Sequence, residues 1–186
     1  AITLRQAGDL VGAQTLLLGI ADLVPAESRG WYLYQRGICE ELGWKFPEAR
    51  DLYLQALAVS GDSLPDAHFR LALVLEDLGD PSGALEQMQI LARLRGLAES
   101  DATTLALQTA ISEVNSGKMR RGLKHLHAAL AAVDGGDTHT WLRAKGRYTL
   151  ARALLNEADG YDLSGGERRV VRRLVARVDR IVAAED

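Results

Sequence analysis

The amino-acid sequence predicts an all-α fold, a right-handed α-solenoid of antiparallel helical hairpins closed by a C-terminal capping helix. Three observations lead there. Apolar and small residues recur three and four apart, as in Leu71, Ala72 and Leu75 and again in Ala84, Met88 and Leu91. Short breaks such as Gly79-Asp80 interrupt this stride and turn one helix back on the one before it. Small residues on the second helix of each hairpin, Ala13, Ala49, Ala84 and Gly122, are separated by 36, 35 and 38 residues, a period that stacked hairpins produce. The pattern amounts to about ten helices.

Residues 1–25, AITLRQAGDLVGAQTLLLGIADLVP, read as the end of one hairpin, with Gly8-Asp9 as its turn and Ala13, Leu17 and Ile20 running down a helix that Pro25 closes. Its first helix is short, which points to a fragment of a longer protein. The second hairpin runs from about Glu27 to Ser60, where Ala49, Tyr53 and Ala56 take the roles of Ala84, Met88 and Leu91. Its first helix, WYLYQRGICEEL, places Arg36 and Glu40 near apolar positions, and Trp44 or Lys45 is expected to add a residue to the turn. The third, Asp66 to Leu94, has Ala72 and Ala84 where two helices cross closely, with Leu71, Leu75, Met88 and Leu91 filling the space around them.

Ser100 to Val133 makes a fourth hairpin, with Ala110 and Gly122 at the crossing, Gly117 at the turn, and Leu126 and Ala129 following. From Asp137, the residues Trp141, Ala144, Tyr148, Ala151 and Leu155 form one stripe that ends near Asn156 to Gly160. A last helix starts near Ser164, with Val171, Leu174, Val175, Val178, Ile181 and Val182 on its apolar face and arginines on the other flanks. Such a helix suits a terminal cap, because repeat arrays need a polar outer face to stay soluble. The whole reads as a single repeat domain over 1–186, with hairpins over 1–133 and the extra and capping helices over 137–184.

With 186 residues, 47% apolar and 25% charged, the chain can bury the core of an ordinary domain. No run approaches the roughly 18 apolar residues that span a bilayer and no leader opens the chain, so a cytoplasmic protein with no membrane partner is expected. The single Cys39 cannot form an internal disulfide and reads as a small core hydrophobe. Charge is polarised: residues 1–116 carry 8 Lys/Arg against 16 Asp/Glu, and 117–186 carry 14 against 9. Arg168, Arg169, Arg172 and Arg173 form a candidate basic patch that could meet an acidic protein. Nucleic acid is not the expected partner, since the aromatic residues that stack on bases are missing there.

Catalytic and cofactor chemistry finds little support. LSGGERR, residues 163–169, resembles the signature motif of ATP-binding-cassette ATPases, but no phosphate-binding loop accompanies it. Ser164 and Glu167 read instead as a capping box at a helix start. His125 and His127 are two apart and point to different sides of a helix, which prevents a shared metal, and one cysteine supplies no structural zinc set. Glu40-Glu41 and Glu76-Asp77 read as solvated faces. No enzyme, metal or cofactor is expected.

The small and large apolar residues around the Gly-Asp turn of residues 66–94, repeated over Leu4 to Val133, resemble the tetratricopeptide repeat (TPR) family. That resemblance implies a protein–protein interaction scaffold whose first helices build a concave wall for a peptide or partner segment. The wall residues it implies are Trp31, Tyr34, Phe69, Arg70, Leu73, Gln108, Ile111 and Asn115. At its centre Phe69 and Arg70 would offer an aromatic surface beside a guanidinium, unless Arg70 pairs with Asp66 in a helical ion pair worth about 0.2–0.5 kcal/mol. Of the family's lysine, asparagine and arginine clamp for a terminal carboxylate, only Arg70 has a match, with Tyr34, Ile38 and Asp66 at other positions. The alternative is a regulatory or sensor domain of a larger transcriptional or signalling protein that binds a peptide or small effector. The oligomeric state is left open.

Overall fold

The computed structural model of the chain describes residues 1–94, 99–133 and 140–156, together with Gly166, Arg169, Arg173 and Ala176. Residues 1–94, 99–133 and 140–156 hold nine α-helices, and none of the described residues is in a strand. The nine are α1 (Ile2–Gln6), α2 (Leu10–Gly19), α3 (Arg29–Leu42), α4 (Phe46–Ser60), α5 (Pro65–Asp77), α6 (Pro81–Arg93), α7 (Glu99–Asn115), α8 (Met119–Val133) and α9 (Thr140–Asn156). The helices pair as the repeat predicts. The helix expected to reach Pro25 stops earlier, at Gly19, where glycine weakens it, and Ala21–Leu23 continues as a 3₁₀ turn. The chain divides into two compact units, Ala1–Gly96 and Leu97–Asp186.

Local chemistry sets the helix starts. Pro47, Pro65 and Pro81 stand in the first turns of α4, α5 and α6, where a missing N–H costs nothing and a fixed φ favours the helix. Asp9 and Asp80 cap α2 and α6 by accepting from the backbone N–H of Gly12 and Gly83 at 2.8 and 2.9 Å.

The four hairpin turns share one hydrogen-bonding pattern. The N–H groups of Asp9, Lys45, Asp80 and Lys118 donate to the carbonyls of Leu4, Glu40, Leu75 and Glu113 at 2.8–2.9 Å, five residues back in each case, which closes the preceding helix. The residue just before each donor is left-handed: Gly8 at φ +83°, Gly79 at +80° and Gly117 at +81°, but Trp44 at +59°. The second hairpin therefore has no extra turn residue. Trp44 occupies the place that glycine fills elsewhere.

In the first unit Ala13, Ala49, Ala67, Ala72 and Ala84 are wholly buried, and Tyr53, Leu71, Val74 and Met88 fill the space around the crossings. Cys39 is buried among them, as expected. At Gly37 α3 comes close to α4: an added Cβ would lie 2.5 Å from the Tyr53 ring. In the second unit α7 packs on both α8 and α9, and Leu107, Ile111, Leu126 and Leu150 form its core. At Gly122 an added Cβ would lie 2.7 Å from the backbone nitrogen of Val114, so only glycine fits between α7 and α8. Of the expected capping helix, Gly166, Arg169, Arg173 and Ala176 are helical and exposed; the rest of it, with Ser164 and Glu167, lies outside the described residues.

Candidate functional site

Helices α3 and α5 present the features on which a site can be built. On α3, Trp31, Tyr34, Ile38 and Glu41 follow a spacing of three, four and three, which places them on one helical face. Trp31 is half exposed, while Tyr34 and Ile38 are buried. The rings of Trp31 and Tyr34 pack at 5.2 Å between centroids, and those of Tyr34 and Tyr53 at 5.9 Å. The tilted geometry suits the ring quadrupoles.

Glu41 joins three helices. Its Oε2 accepts from the Tyr53 hydroxyl of α4 at 2.5 Å, and its Oε1 accepts from Arg70 Nη1 of α5 at 2.9 Å. Both bonds are charge-assisted, the stronger kind of hydrogen bond. Burial, and then the Glu41 charge, push the Tyr53 hydroxyl far above the ordinary tyrosine pKa. Burial also raises Tyr34, with the nearby Arg70 charge acting against it. For Arg70, burial acts against the charge, but Glu41 together with Tyr53 and Tyr34 outweighs it and holds the guanidinium protonated. Arg70 therefore pairs across to the neighbouring hairpin and not with Asp66, because the Glu41 carboxylate, its side chain only 17% exposed, offers a better partner than an exposed aspartate one turn away.

The expected wall residues separate by unit. In the first unit Phe69, Arg70 and Leu73 of α5 are partly exposed alongside Trp31, and only Tyr34 is buried. In the second unit Gln108 and Ile111 are wholly buried, Ile111 in the core that α7, α8 and α9 share. Asn115 remains partly exposed, and its Oδ1 accepts from Arg152 of α9 at 2.5 Å. In the basic patch, Arg169 and Arg173 are exposed and one helical turn apart, while Arg168 and Arg172 lie outside the described residues.

Two polar groups mattered more than the sequence suggested. Glu41, read as part of a solvated face, is the acceptor at the centre of the first unit, and the signal for it is its position seven residues after Tyr34. His125, about half exposed, is held by Glu113 Oε2 at 2.6 Å from its Nδ1, with Arg121 Nε on the other oxygen at 2.8 Å. Between α2 and α3 lies a cavity of about 130 Å³, with Leu17, Leu18 and Cys39 on its apolar side and Arg36, Glu40 and Lys45 on its polar side. Burial raises the Cys39 thiol above its ordinary value, which disfavours the nucleophilic thiolate. Among the described residues no group of three or more His, Cys, Asp or Glu could hold a metal, and no helix is long and apolar enough to cross a membrane.

No family model matches the sequence, and no curated protein does either. Solved structures do share the fold. A Podosopora anserina protein of nearly identical TPR-like repeats, assigned as a kinesin light chain, superposes with a TM-score of 0.64 at 19% identity, over 99% of this chain and 92% of that one. A single-substitution variant of it gives 0.66 at 19%, over 98% and 91%. YrrB, a TPR protein with an unusual peptide-binding site, gives 0.65 at 20%, over 85% and 74%. The chain has the TPR-like, all-α helical repeat fold.

Proposed function

We propose that the chain is a non-catalytic protein-interaction scaffold and that the α3–α5 face of its first unit binds a peptide or partner segment. The observation that carries this is the Glu41 network: one carboxylate fixes α3, α4 and α5 together and leaves Trp31, Phe69 and Leu73 at least partly exposed. A face held in place before binding loses less conformational entropy when a partner arrives. Because the Arg70 charge is engaged by Glu41, the face suits apolar and aromatic anchors better than a terminal carboxylate. The peptide-binding site of YrrB supports a peptide as the kind of partner. Gln108 and Ile111, wholly buried in the second unit, have no part in this face.

Selection of a displayed peptide library on the intact chain tests the reading. The expected result is a set of peptides with apolar or aromatic anchors whose affinity falls at least about tenfold in a Trp31→Ala plus Phe69→Ala variant. Arg169→Ala plus Arg173→Ala should leave that affinity unchanged. Peptides that ignore the first pair and are lost with the second would move the binding surface to the basic patch.

A further inference from the structure

The α3–α4 turn contains a residue that neither folding nor packing explains. Trp44 takes the left-handed conformation that three sibling turns give to glycine, and a bulky side chain with positive φ is a genuine outlier. Its indole is 81% exposed, so burial returns almost nothing for that strain. The strain favours glycine, and the slight burial of the ring does little to offset it. Strain of this kind, with one edge-on ring contact beside it and most of the residue in solvent, points to function.

The surroundings of Trp44 describe what would fit there. Phe46 meets the indole edge-on at 5.8 Å, which restricts its orientation, and Leu42 is half exposed two residues earlier. The nearest cation, Lys45, pairs with Glu40 at 3.4 Å. The first turn of α4 carries the exposed Glu48, and α2, whose Leu10 lies against Gly43, begins with the exposed Asp9. Residues 1–96 hold 8 Lys/Arg against 13 Asp/Glu. The patch is therefore aromatic, exposed and set in an acidic unit.

We infer that Trp44 is a docking anchor, at the turn edge of the first unit, for a basic amphipathic segment of a partner protein. The apolar side of such a segment would cover Trp44, Leu42 and Phe46, and a lysine or arginine over the indole face would add a cation–π contact. Acidic neighbours favour the same sign of partner. This site is separate from the α3–α5 face and does not depend on it.

The test uses the intact chain and two synthetic helical peptides, one of leucine and lysine and one in which glutamate replaces every lysine. Trp44→Gly should raise Tm by about 2–4 °C, because glycine takes this φ without strain. The same change should weaken the lysine peptide at least about tenfold by calorimetry. Trp44→Asn, which tolerates positive φ but lacks the indole, should lose affinity in the same way, whereas Trp31→Ala plus Phe69→Ala should keep it. A lower Tm in Trp44→Gly would assign the tryptophan a structural role and overturn the proposal. So would no measurable binding of the lysine peptide to the native chain, unchanged affinity in both Trp44 variants, or equal binding of the glutamate peptide.

Discussion

Glu41 and Glu113 are both inward carboxylates near the end of a first helix, yet they hold different things. Glu41 accepts from Tyr53 and Arg70 and so joins α3, α4 and α5, across the boundary between two hairpins. Glu113, only 2% exposed at its side chain, accepts from Arg121 and His125, both on α8, and so closes a single hairpin. The partners differ too. Tyr53 is wholly buried and Arg70 one-third exposed, whereas the Arg121 and His125 side chains are 67% and 45% exposed. What a buried acid contributes is set by what it would leave behind: in the first unit an unpaired buried hydroxyl, in the second two bases that water can solvate.

The largest effect should come from Glu41→Ala, at about 2–4 kcal/mol, because it orphans the Tyr53 hydroxyl and strips a partly buried arginine of its counter-ion. Denaturant unfolding measures this, and a cost no larger than that of Glu113→Ala would undo the comparison. Next is Gly122→Ala, at about 1–3 kcal/mol, since the new methyl meets the backbone of α7 and drives α8 away. It should also couple to Glu113→Ala in a double-mutant cycle, because both act on the α7–α8 contact. Glu113→Ala alone should cost about 1 kcal/mol, the size of an ordinary hydrogen-bond loss.

The smallest effect at neutral pH distinguishes the units by alkali. Tyr53 holds its proton more tightly when folded than when unfolded, so its contribution is complete below the unfolded value near 10 and fades as pH rises above it. Melting temperatures followed from pH 8 to 11 should fall in the native chain, and fall less in Tyr53→Phe. An identical fall in both would remove Tyr53 from the account.

The helical stride and the spacing of Ala13, Ala49, Ala84 and Gly122 made the hairpins legible, because crossing geometry demands small residues at fixed intervals and that demand is written in residue type. The turn at Trp44 was not legible. Tryptophan is not a turn residue by propensity, and only the backbone hydrogen bonds reveal that it takes the place of glycine. Exposure was legible where it follows from a helix face, as for Trp31 and Phe69. It was hidden at Gln108 and Ile111, which are wholly buried, because which face of a helix its neighbours cover is decided by packing and not by residue type. Glu41 was hidden for a similar reason: a carboxylate on a helix looks solvated until its cross-hairpin donors are known.

In each unit the main packing joins helices that are neighbours or next neighbours along the chain, α3 with α4, α4 with α5, α5 with α6, α7 with α8 and α9. Contacts so local need little loop closure before they form, which places such chains among the fast folders. Synthesis delivers about 5–20 residues per second, far slower than a helical hairpin closes. Each hairpin can therefore fold as it leaves the ribosome, and the direction of translation becomes the direction in which the repeats assemble.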